Sequence, residues 1–362
     1  MKQVYPDFYP SFHCLAGACP DTCCKDWEVV VDREALEFYK TVSGVLGERL
    51  RDAFVRQPDG ELCVRLNEEG KCVLLTADGL CPLQAAYGEK GLCKICASHP
   101  RFVEEYGATQ EITLSIYCPE AARLLLEHEG PIQFLTRDTE QTVDTPNTLD
   151  PERYFAVRAV REAALALVQD RSRHIRDRLS LLLLLCSRAQ DALDAEQYAR
   201  IEPLCARFQM RGVQERQLLR LRRMRRNGAR FFPAWLLLRN MEHLTEDFPA
   251  YLERCAHAKR PDEAFFERHS AALEHLTVYF LFRYLLKASV DGALLARACS
   301  CVFHVLSISR IFCANGMQTP EELRALCSLY SKEVEHSEEN LALLDRAIRR
   351  GALRMQTLLE RL

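Results

Sequence analysis

The sequence offers little that speaks for export or for a membrane. Its first residues, Met1 to His13, contain no apolar core and no small-residue cleavage site, so no secretory signal is expected and the reading is cytoplasmic. The most apolar run, Leu179 to Cys186, is closed off by Arg178 and Arg188 and falls far short of the ~18 residues that a membrane span needs. It reads as a buried helix, and no membrane partner is expected. A formal net charge of only -3 removes any general pull toward nucleic acid or anionic lipid. Also missing is a glycine-rich loop between a strand and a helix, so a dinucleotide-type Rossmann site is not supported.

Cysteine, by contrast, is abundant. The chain holds 17, an odd number, and in a reducing compartment a disulfide framework explains such a set poorly. Metal or redox chemistry is the better expectation. Ten of the cysteines, at 14, 19, 23, 24, 63, 72, 81, 93, 96 and 118, lie in the first third. The remaining seven, from Cys186 to Cys327, sit singly in helical patterns and read as core or surface thiols.

A chain of 362 residues is long enough for two domains, since single cores stop growing near ~250 to 300 residues. Gly130 to Asp150 is polar and aperiodic, which suits a connector. The expected organisation is a cysteine-rich metal-binding domain over residues 1–130, a linker over 131–150, and an α-helical domain over 151–362. The fold class is thus mostly α: an irregular first domain with little β, then a helical bundle. In the first domain, a helix is expected from Asp32 to about Val42 and another from Pro119. Extended segments at Glu61 to Leu66 and Cys72 to Thr76 flank the turn Asn67 to Gly70. In the second, Asp150-Pro151-Glu152, Asp194 with Gln197, and Thr319-Pro320-Glu321-Glu322 read as helix N-termini. Leu323, Leu326, Leu329 and Tyr330 form one apolar face, and Leu341, Leu344, Ile348 and Leu353 another. Arg216 to Arg230 is the densest basic run, read as a solvated helix face with docking of an acidic protein surface as the alternative.

The cysteines fall into two blocks. The first reads Cys14-x4-Cys19-Pro20-Asp21-Thr22-Cys23-Cys24, and the second reads Cys72-x8-Cys81-x11-Cys93-x2-Cys96, closed by Cys118-Pro119. Iron or zinc held by cysteine needs thiolates converging from short loops, and two intervening residues let one turn present both sulfurs to one centre. Cys93 and Cys96 meet that need, and the other tight groups make coincidence a poor explanation. The candidate metal ligands are Cys19, Cys23, Cys24, Cys72, Cys81, Cys93, Cys96 and Cys118, with Cys14 and Cys63 left open and His13 and His99 as minor substitutes.

The segments Phe12-His13-Cys14, Ala18 to Trp27, Gly79-Leu80-Cys81, Leu92 to Phe102 and Ser115 to Leu124 resemble the flagellin lysine-N-methylase family. The cysteine spacing also resembles a broader group of zinc- or iron-chelating proteins. The first resemblance implies methyl transfer from S-adenosylmethionine to lysines of flagellin before its export to the bacterial flagellum, with a [4Fe-4S] cluster in the enzyme. The second implies a non-catalytic zinc- or iron-chelating module, or a zinc-stabilised interaction protein. A radical C-x3-C-x2-C signature would need a cysteine where Asp26 stands, so a radical route cannot be read here. For a polar transfer the lysine amine must lose its proton, and Asp21, Asp26, Tyr117 and Glu120 adjoin the cysteines as candidate bases. Arg101 and Arg123 lie in the matched segments and suit a donor carboxylate, though surface pairing explains them equally well.

Overall fold

The computed structural model describes residues 1–25, 27–140, 149–226, 232–258 and 260–362. It is mostly helical, 60% helix against 10% strand. The chain divides into two compact units that interleave in sequence. One comprises Met1–Pro10, Val103–Thr113 and Ala122–Leu362, the other Ser11–Phe102 and Leu114–Ala121. All ten early cysteines belong to the second unit.

The interleaving has a cause in strand pairing. Six strands form: β1 (Lys2–Pro6), β2 (Phe54–Arg56), β3 (Leu62–Val64), β4 (Arg101–Tyr106), β5 (Thr109–Leu114) and β6 (Phe134–Asp138). Four of them make one sheet in the order β4-β5-β1-β6. β1 lies parallel to β5, Lys2 opposite Thr109, and antiparallel to β6, Lys2 opposite Asp138. A parallel pair cannot be closed by a tight turn, so the connection between β1 and β5 must be long, and here it carries most of the cysteine-rich unit. Buried Gln3 ties the sheet internally, its side chain meeting Gln110 at 2.5 Å and accepting from Arg137 at 2.7 Å.

This sheet was not expected from the sequence. β6 occupies part of the stretch read as a connector; residues 141–148 of that stretch lie outside the described ones. Cys72 to Thr76 is also not a strand: β3 pairs with β2, and the Asn67–Gly70 turn closes on isolated contacts such as Asn67 N–H to Lys71 O at 2.8 Å.

The helical part follows its caps closely. Asp150 accepts from the N–H groups of Glu152 and Arg153, and Thr319 with Glu322 forms a reciprocal capping box. Leu323, Leu326 and Tyr330 are buried with Leu329 partly so, and Leu344, Ile348 and Leu353 are buried with Leu341 partly so. Asp194, however, ends a helix rather than starting one. The apolar periodicity from Leu179 continues through Ala189 and Leu193, and the helix Ile175–Asp194 runs to its end before a new one opens at Ile201. Arg211–Arg226 is helical as the basic run suggests; Arg216, Arg220 and Arg223 are exposed, while Arg222 pairs with the buried carboxylate of Asp177. Arg230 lies outside the described residues.

Leu294–Ala314 is the one helix among the described residues long and apolar enough to cross a membrane by length and composition, a property the sequence reading missed. It is also 78% buried within its own unit, against the helices Ile175–Asp194, Ser270–Tyr284 and Asp247–His257, as a central core helix is. On it His304 is fully buried, stacked on Phe280 at 4.6 Å, its Nδ1 2.9 Å from the Tyr330 hydroxyl and its Nε2 3.2 Å from Ser300 Oγ. Burial pushes the His304 imidazole down to about 4, and that of His336 likewise. Between pH 6.5 and 4 the unfolded chain therefore binds protons the folded chain refuses, so stability falls as pH drops through that window. The loss from His304 alone is about 3 kcal/mol. Denaturant titrations from pH 7 to pH 4.5 are expected to show this decline, with part of it absent in His304→Phe; a flat profile in the native chain contradicts the account.

Candidate metal centre

Local geometry brings the thiols to one place. Cys14 and Cys19 bracket a short 3-10 turn, Ala16–Ala18, in which Ala16 N–H faces Cys14 Sγ at 3.4 Å and Cys19 N–H donates to Ala16 O at 3.1 Å. Gly17 lies so close to the loop before Cys81 that an added Cβ would sit 3.0 Å from Leu80 Cδ2. That loop is a tight turn closed by Thr76 N–H to Leu80 O at 3.0 Å, with Gly79 at φ +72, a conformation side-chain-bearing residues rarely take. Cys24 O accepts from Cys72 N–H at 2.8 Å, joining the two cysteine blocks through the backbone.

Helix starts position three further thiols. Cys81 precedes Pro82–Tyr87, Cys93 precedes Lys94–Ser98 and Cys118 precedes Pro119–Leu126. The unbonded N–H groups of a first helical turn face such residues. Asp32 fixes the Cys93 turn from outside: one carboxylate oxygen caps Arg33–Thr41 through Ala35 N–H at 3.1 Å, the other accepts from Lys94 N–H at 2.7 Å. Cys118 arrives with the Leu114–Ala121 segment, anchored by Ser115 N–H to Pro100 O at 2.7 Å and by the edge contact of Tyr117 with His99 at 5.6 Å.

These thiols line a cavity of about 570 Å³ formed within the cysteine-rich unit. All eight sequence-predicted ligands lie on its wall, and Cys14 makes a ninth. Phe12-His13-Cys14 in the matched segments was the signal for it. Cys63 does not line the cavity; it is buried in β3. Asp21, Tyr117 and Glu120 are on the wall, as are His13 and His99, while Asp26 lies outside the described residues. Arg101 is on the wall too, its guanidinium 5.4 Å over the Phe12 ring. Arg123 is not; it pairs with Glu127 at 3.1 Å on an exposed helix face.

Two pairs of thiols share protons. A hydrogen bond from Cys23 brings Cys24 down to about 7, and one from Cys96 does the same for Cys93. The donors move up, first through that same contact and then through burial. Burial pushes Cys72 and Cys118 up to about 11 and raises Cys19 and Cys81, against backbone N–H donors that favour their thiolates. Among the described lining residues Arg101 is the sole lysine or arginine, set against nine thiols and the carboxylates of Asp21, Glu89 and Glu120. Such a donor set fits a thiophilic cation, which alone could compensate several thiolates in so small a space.

A second grouping of ligand atoms, His174, Glu263 and Glu267, lies in the helical unit, all within 4.8 Å of one another. It has a structural reading. His174 Nδ1 accepts from Arg176 N–H at the start of a helix, its Nε2 meets Glu263 at 3.1 Å, and Arg176 pairs with the same carboxylate.

Comparison with known proteins adds the family. Residues 161–359 match the FliB lysine N-methylase C-terminal domain. The chain belongs to that family. Over 142 residues it is 29% identical to the flagellar biosynthetic protein FliU of Salmonella muenchen, covering 35% of this chain and 79% of that protein. It is 28% identical over 142 residues to the lysine-N-methylase of Salmonella typhimurium strain LT2, and equally to that of Salmonella choleraesuis strain SC-B67, covering 35% of this chain and 33% of each. The alignment thus spans about a third of the length of these two lysine-N-methylases. No solved structure matches.

Proposed function

We propose that the protein is a cytoplasmic lysine N-methyltransferase acting on flagellin before export, with S-adenosylmethionine as methyl donor and a cysteine-ligated [4Fe-4S] cluster at the thiol-lined cavity. The observation that carries the reading is the convergence of nine thiols on one 570 Å³ cavity in a chain of the FliB lysine N-methylase family. That volume falls in the ~300 to 1,000 Å³ range of small-molecule sites.

Bound there, the cluster would supply an iron site open to the amino and carboxylate groups of the donor. The protein's own groups do the rest. Arg101, on the wall, is the group that would pair with the donor carboxylate, and Trp27 and Phe12 would offer apolar surface to the sulfonium. In the transfer a carbon–nitrogen bond forms to the lysine amine while the carbon–sulfur bond breaks, its electron pair passing to sulfur. The nitrogen proton goes to a base. Asp21, Tyr117 and Glu120 are the wall groups available for this, and Glu120, 7% exposed, is the more sheltered of the two carboxylates.

Co-expression with flagellin, anaerobic purification and mass measurement of the flagellin test the reading. Methyl increments on lysine are expected, and they should vanish when the protein is stripped of iron before an in vitro reaction. Full methylation by iron-free protein would overturn it.

A further inference from the structure

We propose that the cavity holds two thiolate-bound metal centres: an inner one on Cys72, Cys81, Cys93 and Cys96, and an outer one on Cys14, Cys19, Cys23 and Cys118. The inference rests on the metal reading above but not on methyl transfer.

Number makes the first argument. One four-iron cluster or one zinc ion takes four thiolates, and nine thiols line this wall. Their placement makes the second. Cys93 is part of the hydrophobic core of the cysteine-rich unit, together with Val29, Tyr39, Leu74 and Leu83, and Cys72, Cys81 and Cys96 pack against that same core. None of Cys14, Cys19, Cys23 and Cys118 does. Cys14 is exposed; Cys19, Cys23 and Cys118 are half-buried, as Cys72, Cys81 and Cys96 are, so what separates the outer four is that they stand off this core, on the 14–23 segment and the separate Leu114–Ala121 stretch.

Chain position follows the same division. Cys81 and Cys93 each stand directly before a helix, Pro82–Tyr87 and Lys94–Ser98, whereas Cys14 and Cys19 bracket the Ala16–Ala18 turn and Cys118 comes with the Leu114–Ala121 stretch. Cys24 stands at the joint, its thiol against Cys23 and its peptide oxygen bonded to Cys72.

The consequence is a division of labour. The inner centre is closed by four cysteines and seated in the core, which suits a structural role. The outer one lies off that core and includes exposed Cys14, the thiol that would give way for the donor to reach an iron there. All-sulfur donors select iron in an iron-sulfur cluster or zinc over magnesium or calcium.

Metal and sulfide analysis of the anaerobically purified full chain tests this. The native protein is expected to carry either about eight irons with matching sulfide, or about four irons and one zinc. Four irons with no other metal, or a single zinc, would overturn the proposal without any variant being made. Cys14→Ser with Cys118→Ser should remove one centre and leave the other, and Cys81→Ser with Cys93→Ser should do the converse. Electron paramagnetic resonance of the reduced protein identifies which centre survives. One pair of substitutions removing all metal while the other removes none also overturns it. Two centres without flagellin methylation would sink the proposed function and leave this inference standing; methylation with one centre would do the reverse.

Discussion

Serine at Cys93 should remove the inner centre's share of the metal, leave the outer one in place, and lower flagellin methylation by about 10- to 100-fold, the scale on which loss of even a supporting metal contact acts. Cys93 is the centre's best-placed ligand: its thiol is the acceptor in the pair with Cys96, and its turn is pinned by Asp32 through Lys94 N–H. Serine keeps the turn and its backbone bonds but replaces a soft sulfur by a hard, neutral oxygen that iron in a sulfur environment binds poorly. The matched control is Cys63→Ala. Cys63 is equally buried in the same unit but sits in β3 away from the cavity wall, so this change should cost stability alone and leave iron content and turnover intact. Iron analysis and single-turnover methylation of both variants check the pair. Equal iron in Cys93→Ser and the native protein would remove Cys93 from the site.

Removing Glu274 should unfold the helical unit more readily than any surface change. Its carboxylate, fully buried, receives the guanidinium of Arg178 and that of Arg171 at 2.9 Å, and Arg178 is itself only 1% exposed. Arg178 also donates to Val168 O at 2.7 Å and Ser270 Oγ at 2.6 Å, so it cannot swing to water without breaking the junction of three helices. Glu274→Ala leaves a buried cation without its counter-charge and should cost about 3 to 5 kcal/mol. In a unit of this size that corresponds to a fall in Tm of about 10 °C. The combined replacement Arg178→Met with Glu274→Leu should recover much of the loss, because two well-packed apolar groups carry no desolvation penalty. A single Glu274→Ala variant within 1 kcal/mol of native, by calorimetry or denaturant titration, would show the pair to be dispensable.

Legibility followed the range of the physics. Capping is local, so Asp32, Asp150 and Thr319 announced their helices from a few residues of sequence. Asp194 misled because an aspartate can end a helix as well as cap one, and only the apolar spacing through Leu193 distinguishes the two. The sheet was hidden for the opposite reason. β1 is five residues long and finds its neighbours more than a hundred positions away, and β4, β5 and β6 carry charges that mask their alternation. The thiol cavity was legible because cysteine is scarce enough elsewhere for clusters to stand out. Cys14 was left open in the sequence, and the fold sets it on the wall beside a turn where Gly17 closely approaches Leu80. Cys63 was equally ambiguous in sequence, and only its place in β3, buried but off the cavity wall, separates it from the candidate ligands.

The interleaved course of the chain also sets a timetable for biogenesis. Cys118 belongs to a stretch that joins the cysteine-rich unit only after β4 and most of β5 have been passed. At ~5 to 20 residues per second, the ribosome releases the earlier thiols seconds before it releases this one, and β1 waits just as long for its parallel neighbour. A nascent chain that has emerged as far as Phe102 would therefore expose eight cavity cysteines with neither the last thiol nor the sheet in place. Insertion of the proposed metal would thus wait for a late moment of synthesis, after oxygen and stray copper have had access to the open thiols, and carriers that shield them in that interval would govern how much active protein a cell obtains.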